Sequence, residues 1–568
     1  MTWRTSFRRR PTRSRTRPER STGGCSTPPR PGTRRTRSTG GHGSTPRRWT
    51  RRRRPGASFP SGLEEDGRVR DLVLGVDQGT TSTRACVMDR RGRDFSHARL
   101  PHRQIYAREG WVEHDPSEIW ENVKRAIVDA VERAGAGSRL AGIGIANQGE
   151  TVLVWDRASG VPLGPAIVWQ DTRTQEEMER LARDEPTARR IREATGLAAD
   201  AYFSASKIRW LLDHVPEARP LAEQGRLCAG TVDAWLVWKL TEGASFVTDA
   251  STAARTLLFD IHALRYDPWL LGLFGVPASV LPEVRRSDEA LGSVRGLGPA
   301  IDGTPIVAGL VDQPAALFGQ GCLAAGQAKA TYGTGCFVYL NTGGSPRPSA
   351  HGLLTTIAWQ RAAGTVYALD GGVFAAGSVV EWLARLGLLS DPAGADALLA
   401  SVPRSSDEVT CVPALAGLAA PYWDRSARAT WLGMGLGTER ADLVRAALEG
   451  VACRVAQVVR AMEKDAALPI GSLRVDGGLT ACASLMQMQA DLLGVPVEVA
   501  AEAEATLRGI CFLAARAAGL WKDDAEALGM RRAGRIVEPR ASETERRGRR
   551  ERFERAVALV QEWHGRPV

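Results

Sequence analysis

The strongest constraint on this chain is a strand–turn–strand unit that occurs twice. The apolar run Leu72-Val73-Leu74-Gly75-Val76 ends in Asp77-Gln78-Gly79-Thr80-Thr81-Ser82, and Ala85-Cys86-Val87-Met88 resumes it before Arg91-Gly92. In the other half of the chain, Tyr332-Gly333-Thr334-Gly335 separates Ala328-Lys329-Ala330-Thr331 from Cys336-Phe337-Val338-Tyr339-Leu340. Short β-prone runs joined through Gly and Thr read as hairpins. A third Gly turn, Val475-Asp476-Gly477-Gly478, follows strand-like Leu473-Arg474-Val475. It precedes an amphipathic helix through Leu485, Met486, Met488, Leu492 and Leu493. Two such hairpins far apart suggest two related lobes, not an array of short repeats.

Helices lie between these strands. Asp115 is a suitable N-cap and Pro116 a suitable first residue for a helix to Ala134. Ile119, Trp120, Val123, Ile127, Val128 and Val131 recur there at helical spacing. Ile143-Gly144-Ile145-Ala146 then reads as a strand. The mixture continues to the end, which implies an α/β protein. At 568 residues the chain is long enough for more than one domain.

Charge divides the chain unevenly. Residues 1–70 hold 20 Arg, no Lys and 4 acidic residues, a net +16, so the rest carries −5 of the total +11. A nucleic-acid binder read from overall charge therefore fails, and only residues 1–70 could serve that role. That segment is rich in Arg, Ser, Thr, Pro and Gly, and is expected to be disordered. It fits a solvated basic tail, a transit-like peptide or translation from upstream of the true start. The abrupt change to strand at Leu72, with Val69 and Val73 as alternative starts, favours the last. No apolar run approaches the roughly 18 residues of a membrane span. No secretory h-region follows the basic start. The nine cysteines are scattered and form no CxxC, which speaks for reduced thiols in the cytoplasm and against disulfides or a zinc site.

The turn at Asp77–Ser82 suits an anion. Gly lets the backbone approach closely, and hydroxyls with successive N–H groups donate to phosphate oxygens. Asp77 at the strand end could hold Mg²⁺ through water. An ordinary hairpin would use similar residues, but repetition at Gly333-Thr334-Gly335 favours a two-sided phosphate clamp. There is no GxxxxGK[ST] and no protein-kinase Gly-rich loop with HRD and DFG.

Two longer stretches carry a family resemblance. One is Tyr202-Phe203-Ser204-Ala205-Ser206-Lys207-Ile208-Arg209-Trp210-Leu211-Leu212-Asp213-His214. The other runs from Ala429 through Gly433-Met434 and Asp442-Leu443 to Ala446-Ala447-Leu448-Glu449. With Gly110–Pro116, Thr231–Leu236, Leu281–Ser287 and Thr331–Phe337, they resemble the FGGY family of carbohydrate kinases, and within it the glycerol kinases, over about residues 71–540. The resemblance implies a two-lobed actin/hexokinase-like (ribonuclease H-like) fold. An N-terminal lobe would span 71–321 and a C-terminal lobe 322–568, after the basic extension 1–70.

It further implies ATP and Mg²⁺ as cofactors, a polyol substrate with glycerol foremost, and a cytoplasmic homo-oligomer. Thr80, Thr81, Ser82 and Arg84 would face the nucleotide phosphates, with Gly333 and Thr334 closing from the other lobe. Gly377, Glu381, Gly478 and Cys482 would lie along the nucleotide. Asp312 would be the catalytic base and, with Asp77, a metal contact. Gln148, Glu150, Tyr202, Asp312 and Gln313 would bind substrate hydroxyls, with Trp169 and Phe337 against its carbons. The chemistry asks for these types independently: an attacking hydroxyl needs a carboxylate to orient it and accept its proton. A polyol's alternating hydroxyls and C–H surface suit carboxylates, amides and aromatic faces. Read singly, Asp312 would be a turn or N-cap residue, Trp169 and Phe337 core aromatics, and Glu150 a solvated loop acid. Lys207 and Trp210 read as structural, with Trp210 and Leu211 turned inward.

The chain departs from the pattern at Gly149, where glycerol kinases usually have Arg. Loss of a charged hydrogen bond of about 1.5–3 kcal/mol would weaken glycerol binding and leave room for a bulkier polyol. Glu381 stands where Gln is expected, and Cys482 where Asn is expected. The alternatives are a kinase of the same family for another polyol or sugar, and a catalytically silent regulator on the same fold.

Overall fold

A computed structural model describes residues 69–390, 392–401, 409–532 and 534–565. The reading of the basic extension concerns residues that lie outside these, apart from 69 and 70. Two sheets built to one plan dominate the body. In the first, β1 (Leu72–Gln78), β2 (Ser82–Asp89) and β3 (Asp94–Pro101) form an antiparallel meander. Helix α1 (Pro116–Ala134) leads to β4 (Leu140–Asn147), which pairs parallel with β1. Strand β5 (Pro305–Val311) pairs parallel with β4, and a short strand at Gly292–Ser293 closes the edge. The second sheet follows the same plan with one strand more on its antiparallel side. Strands β6 (Ala328–Tyr332), β7 (Cys336–Gly343), β8 (Leu354–Arg361) and β9 (Gly364–Val373) are antiparallel in the spatial order β8-β9-β7-β6. Strands β10 (Leu473–Asp476) and β11 (Val497–Val499) continue it in parallel from β6.

Local chemistry explains the elements. Every residue of β1 is buried, as the near-continuous apolar run of a central strand requires. In α1 the Asp115 carboxylate accepts from Ser117 N at 2.8 Å, Pro116 opens the helix, and Gly135 ends it in the left-handed region. Its buried stripe, Ile119, Val123, Ile127 and Val131, packs beneath the first sheet beside Leu74 and Val76.

Helix α2 (Asp312–Gly319) follows β5 directly, so Asp312 stands at the junction of a sheet strand and a helix. Helix α3 (Ala505–Ala517) comes late in the chain, yet packs on the first sheet through Leu507, Ile510 and Ala514 against Val73, Cys86 and Val307. Helices α2 and α3 cross with backbones in contact. A Cβ on Gly509 would run into the Ala315 carbonyl, and one on Gly319 into the carbonyl of Ala505. Only glycine permits that approach. No helix among the described residues is long and apolar enough to cross a membrane.

Candidate active site

Both hairpin turns open onto one cavity of about 400 Å³. From the first sheet come Asp77, Gly79, Thr80, Thr81, Ser82 and Arg84; from the second, Thr331, Gly333, Thr334, Gly335 and Phe337. Glu150, Trp169, Tyr202, Asp312 and Gln313 line the same space. Residues more than 250 positions apart in sequence thus share one solvent-filled cleft.

The acids at its floor are held by burial and by one another. Asp77, 3% exposed, is paired with Arg84 at 3.2 Å, while Arg84 also reaches Glu504 at 2.8 Å. Burial pushes the Asp77 carboxyl up to about 6, against the pull of Arg84 and with a further push from Glu504. Its Oδ1 is buried without a hydrogen-bond partner. Asp312 accepts from Gln313 N at 2.7 Å. It too is raised to about 6, chiefly by burial and then by the negative charge of Asp77, with Lys329 opposing. Two mutually repelling carboxylates, one with an unpartnered oxygen, are a donor set that a hard dication would satisfy. The residues present therefore fit Mg²⁺.

The substrate end is amphipathic. Trp169 donates from Nε1 to Thr80 Oγ1 at 3.0 Å, which ties it to the first turn. Its ring meets Tyr202 edge-on at 5.3 Å and Phe337 at 6.2 Å, so the aromatic wall reaches from the N-terminal half of the chain to the second sheet. Helix Ser204–His214 sets Tyr202 from behind: buried Lys207 donates to the carbonyls of Ala201, Tyr202 and Phe203. Leu211 of this helix is buried, whereas Trp210 is only partly covered and stacks on His214 at 4.3 Å.

Three residues unremarked in the sequence shape this end. Arg255 is buried, donates to Glu150 Oε1 at 2.6 Å and lies 2.9 Å from Asp370 Oδ2 on β9. The contact with Asp370 is a charge pair without aligned hydrogen-bond geometry, since Arg255 Nη1 has no hydrogen-bond partner. Burial raises the Glu150 carboxyl, Arg255 opposes that rise, and Asp312 adds to it. Lys329 of β6, also buried, donates to Gln313 Oε1 and to Thr331 Oγ1 at 2.9 Å. An arginine or lysine set among alanines, as in Ala254-Arg255 and Ala328-Lys329-Ala330, is the one local signal that could have drawn attention to them.

Other expected residues lie around the cleft, not on its lining. Gln148 is buried beneath the first turn, donating to Gln78 Oε1 at 3.0 Å. Gly377 N donates to Gly333 O at 2.9 Å, and a Cβ there would come within 2.6 Å of that oxygen. Gly477, beside Gly478, packs on the Tyr332 backbone, while Gly478 faces open space. Glu381 is exposed on helix Gly377–Arg385. Cys482 donates its thiol to Asp396 at 3.5 Å. Gly149 does line the cavity, and a Cβ there would stand 3.0 Å from Val311 and 3.9 Å from Arg255.

Residues 72–319 match the N-terminal domain of the FGGY family of carbohydrate kinases, and residues 328–518 its C-terminal domain. The chain belongs to the FGGY family of carbohydrate kinases. It is 49% identical to the glycerol kinase of Alkalilimnicola ehrlichii over 495 residues, covering 86% of this chain and 98% of that one. With the glycerol kinase of Aromatoleum aromaticum the identity is 48%, covering 86% and 99%. The crystal structure of Plasmodium falciparum glycerol kinase with ADP superposes with a TM-score of 0.80 at 33% identity, covering 88% of this chain and 99% of that one. A ligand-bound xylulose kinase from Lactobacillus acidophilus, at 22% identity and TM-score 0.78, shares the fold.

Proposed function

We propose that this FGGY kinase transfers the γ-phosphoryl group of ATP to a terminal hydroxyl of glycerol, giving glycerol 3-phosphate and ADP. What supports this most directly is the shared cavity, which Asp312 lines together with the two phosphate-type turns and with Glu150, Trp169, Tyr202 and Phe337. The glycerol-kinase relatives and the ADP-bound neighbour point the same way. Lobes 71–321 and 322–568 would close over the substrates and keep water out.

In this reading Glu150, Tyr202 and Gln313 hold the hydroxyls, with Gln148 buttressing the loop from below. Trp169 and Phe337 cover the carbon skeleton. Asp312 orients the attacking hydroxyl and takes its proton; a carboxyl raised to about 6 is a better base than an ordinary aspartate and is still ionised at neutral pH. Backbone N–H groups and hydroxyls of Thr80, Thr81 and Ser82, with Gly333 and Thr334 opposite, donate to the phosphate oxygens as charge shifts to the leaving group. Arg84 stays near those phosphates while paired with Asp77 and Glu504. Asp77 and Asp312 would hold Mg²⁺, which when bound would supply charge neutralisation at the phosphates. The rest of the nucleotide would run past Gly377 and Gly478 towards Glu381 and Cys482. The enzyme would act in the cytoplasm as a homo-oligomer.

Gly149 favours a second reading, a pocket open to a longer polyol. A panel of glycerol, tetritols, pentitols and pentuloses, with ADP release as the assay and Asp312→Ala as the blank, tests both. If glycerol has by far the best kcat/KM, the wider-pocket reading is wrong. If no polyol stimulates ADP release above the Asp312→Ala level, the kinase reading is wrong.

A further inference from the structure

A second constellation of donor atoms sits where β2 and β3 meet α3. Cys86 of β2 and His97 of β3 are directly opposite in the antiparallel register. Opposed side chains share a face, with Cβ atoms about 4.5–5.5 Å apart. Asp94 lies three residues before His97, a spacing that in a regular strand would put the two on opposite faces. The register, however, passes from Val87↔Ser96 to Met88↔Asp94, which leaves Phe95 as an extra residue. Such a bulge resets the alternation and re-aims a side chain. Asp94 therefore faces the same way as His97, on the side where Cys86 and Met88 pack against α3.

The outcome is three different donors in one place. Cys86 Sγ, His97 Nε2 and an Asp94 oxygen lie within 4.8 Å of one another. Sγ to Nε2 is 4.0 Å, and Nε2 to Asp94 Oδ2 is 3.5 Å. Ligands about 2.0–2.3 Å from a tetrahedral zinc stand roughly 3.3–3.6 Å apart, so small rotations of the half-exposed His97 ring and of Asp94 bring these atoms to bonding positions. We propose that Cys86, Asp94 and His97 form a zinc-binding site. A thiolate and an imidazole with one carboxylate select Zn²⁺ over Mg²⁺ or Ca²⁺. Water completes the shell on the exposed His97 side.

The surrounding charges admit the ion. Arg508 of α3 touches both Asp94 oxygens, at 3.2 and 3.1 Å, and is itself paired with Glu502 at 2.6 Å. Glu502, shared with Arg532 at 3.0 Å, offsets part of the guanidinium's charge, and each Asp94 carboxylate oxygen keeps a lone pair for a second partner. The thiol proton leaves on binding, so the divalent ion adds only one net positive charge beside these acids. No CxxC marks the site because the donors are assembled by strand register and a bulge, not by close spacing along the chain.

The test uses the full chain, stripped with chelator, loaded with Zn²⁺, desalted and assayed for metal, with Co²⁺ as the optical probe. One zinc per chain and a thiolate-to-cobalt charge-transfer band are expected. His97→Ala, at a half-exposed position that should fold normally, and Cys86→Ser should each lose both signals, with the ADP-release rate unchanged within about twofold. Retention of the same zinc by His97→Ala, or wild-type protein giving no thiolate-to-cobalt band, overturns the proposal.

Discussion

Replacing Arg255 with Gln removes the one guanidinium that serves both Glu150 and Asp370, each 4% exposed in the side chain. Stripping a cation from a buried ion pair costs about 3–5 kcal/mol if the partner stays charged. Glu150, already raised by burial, escapes that cost by taking up a proton. A neutral carboxyl is a weaker acceptor: hydrogen bonds to charged groups contribute about 1.5–3 kcal/mol, neutral ones about 1. The difference of about 1–2 kcal/mol predicts a polyol KM raised roughly 5- to 30-fold at neutral pH, with the KM for ATP little changed. The sign with pH follows. Substrate binding needs the carboxylate, so the variant's polyol KM should be high at low pH and recover as pH rises through the new, higher carboxyl pKa. Steady-state kinetics at saturating ATP across the neutral range supply the measurement. A polyol KM within about threefold of wild type, or an increase that does not vary with pH, would refute the reasoning.

Three further outcomes are expected at the cleft floor. Asp312→Asn should lower kcat by about 10²–10⁴-fold with little change in polyol KM, and wild-type kcat should fall as pH drops through about 6, where the base becomes protonated. Asp77→Asn removes a negative charge that raises Asp312, so the acid limb of kcat should move to lower pH while the Mg²⁺ needed for half-maximal rate rises; a limb moving upward would contradict the pairing. Lys329→Met should do the reverse to the limb, since Lys329 lowers the Asp312 carboxyl, and should loosen Gln313 enough to raise the polyol KM.

Much of the architecture was readable because it depends on local pattern. Buried alternation, the Asp115-Pro116 start of α1 and the Gly-Thr turns each carry their own physical signature, and the two hairpins foretold two sheets of one plan. The gathering of Glu150, Asp312 and Phe337 followed from resemblance alone, because no local rule links positions so far apart. Arg255 and Lys329 were missed for the same reason: a buried cation looks like a surface one until its partners are placed. Asp370 and Glu150 are 220 positions apart and meet only through Arg255. Glu381 and Cys482 came from the resemblance in the same way: Glu381 is exposed on its helix, and Cys482 donates to Asp396.

The glycine-to-backbone crossing of α2 and α3 has a mechanical consequence. Interlocked main chains resist sliding, so if the two sides of the cleft close over substrates as proposed, a roll about this contact would disturb the packing least. Asp312 opens one of the two crossed helices and would lie near such an axis. The turns at either rim would then sweep through an arc while the carboxylate barely shifts, which would keep its aim during closure.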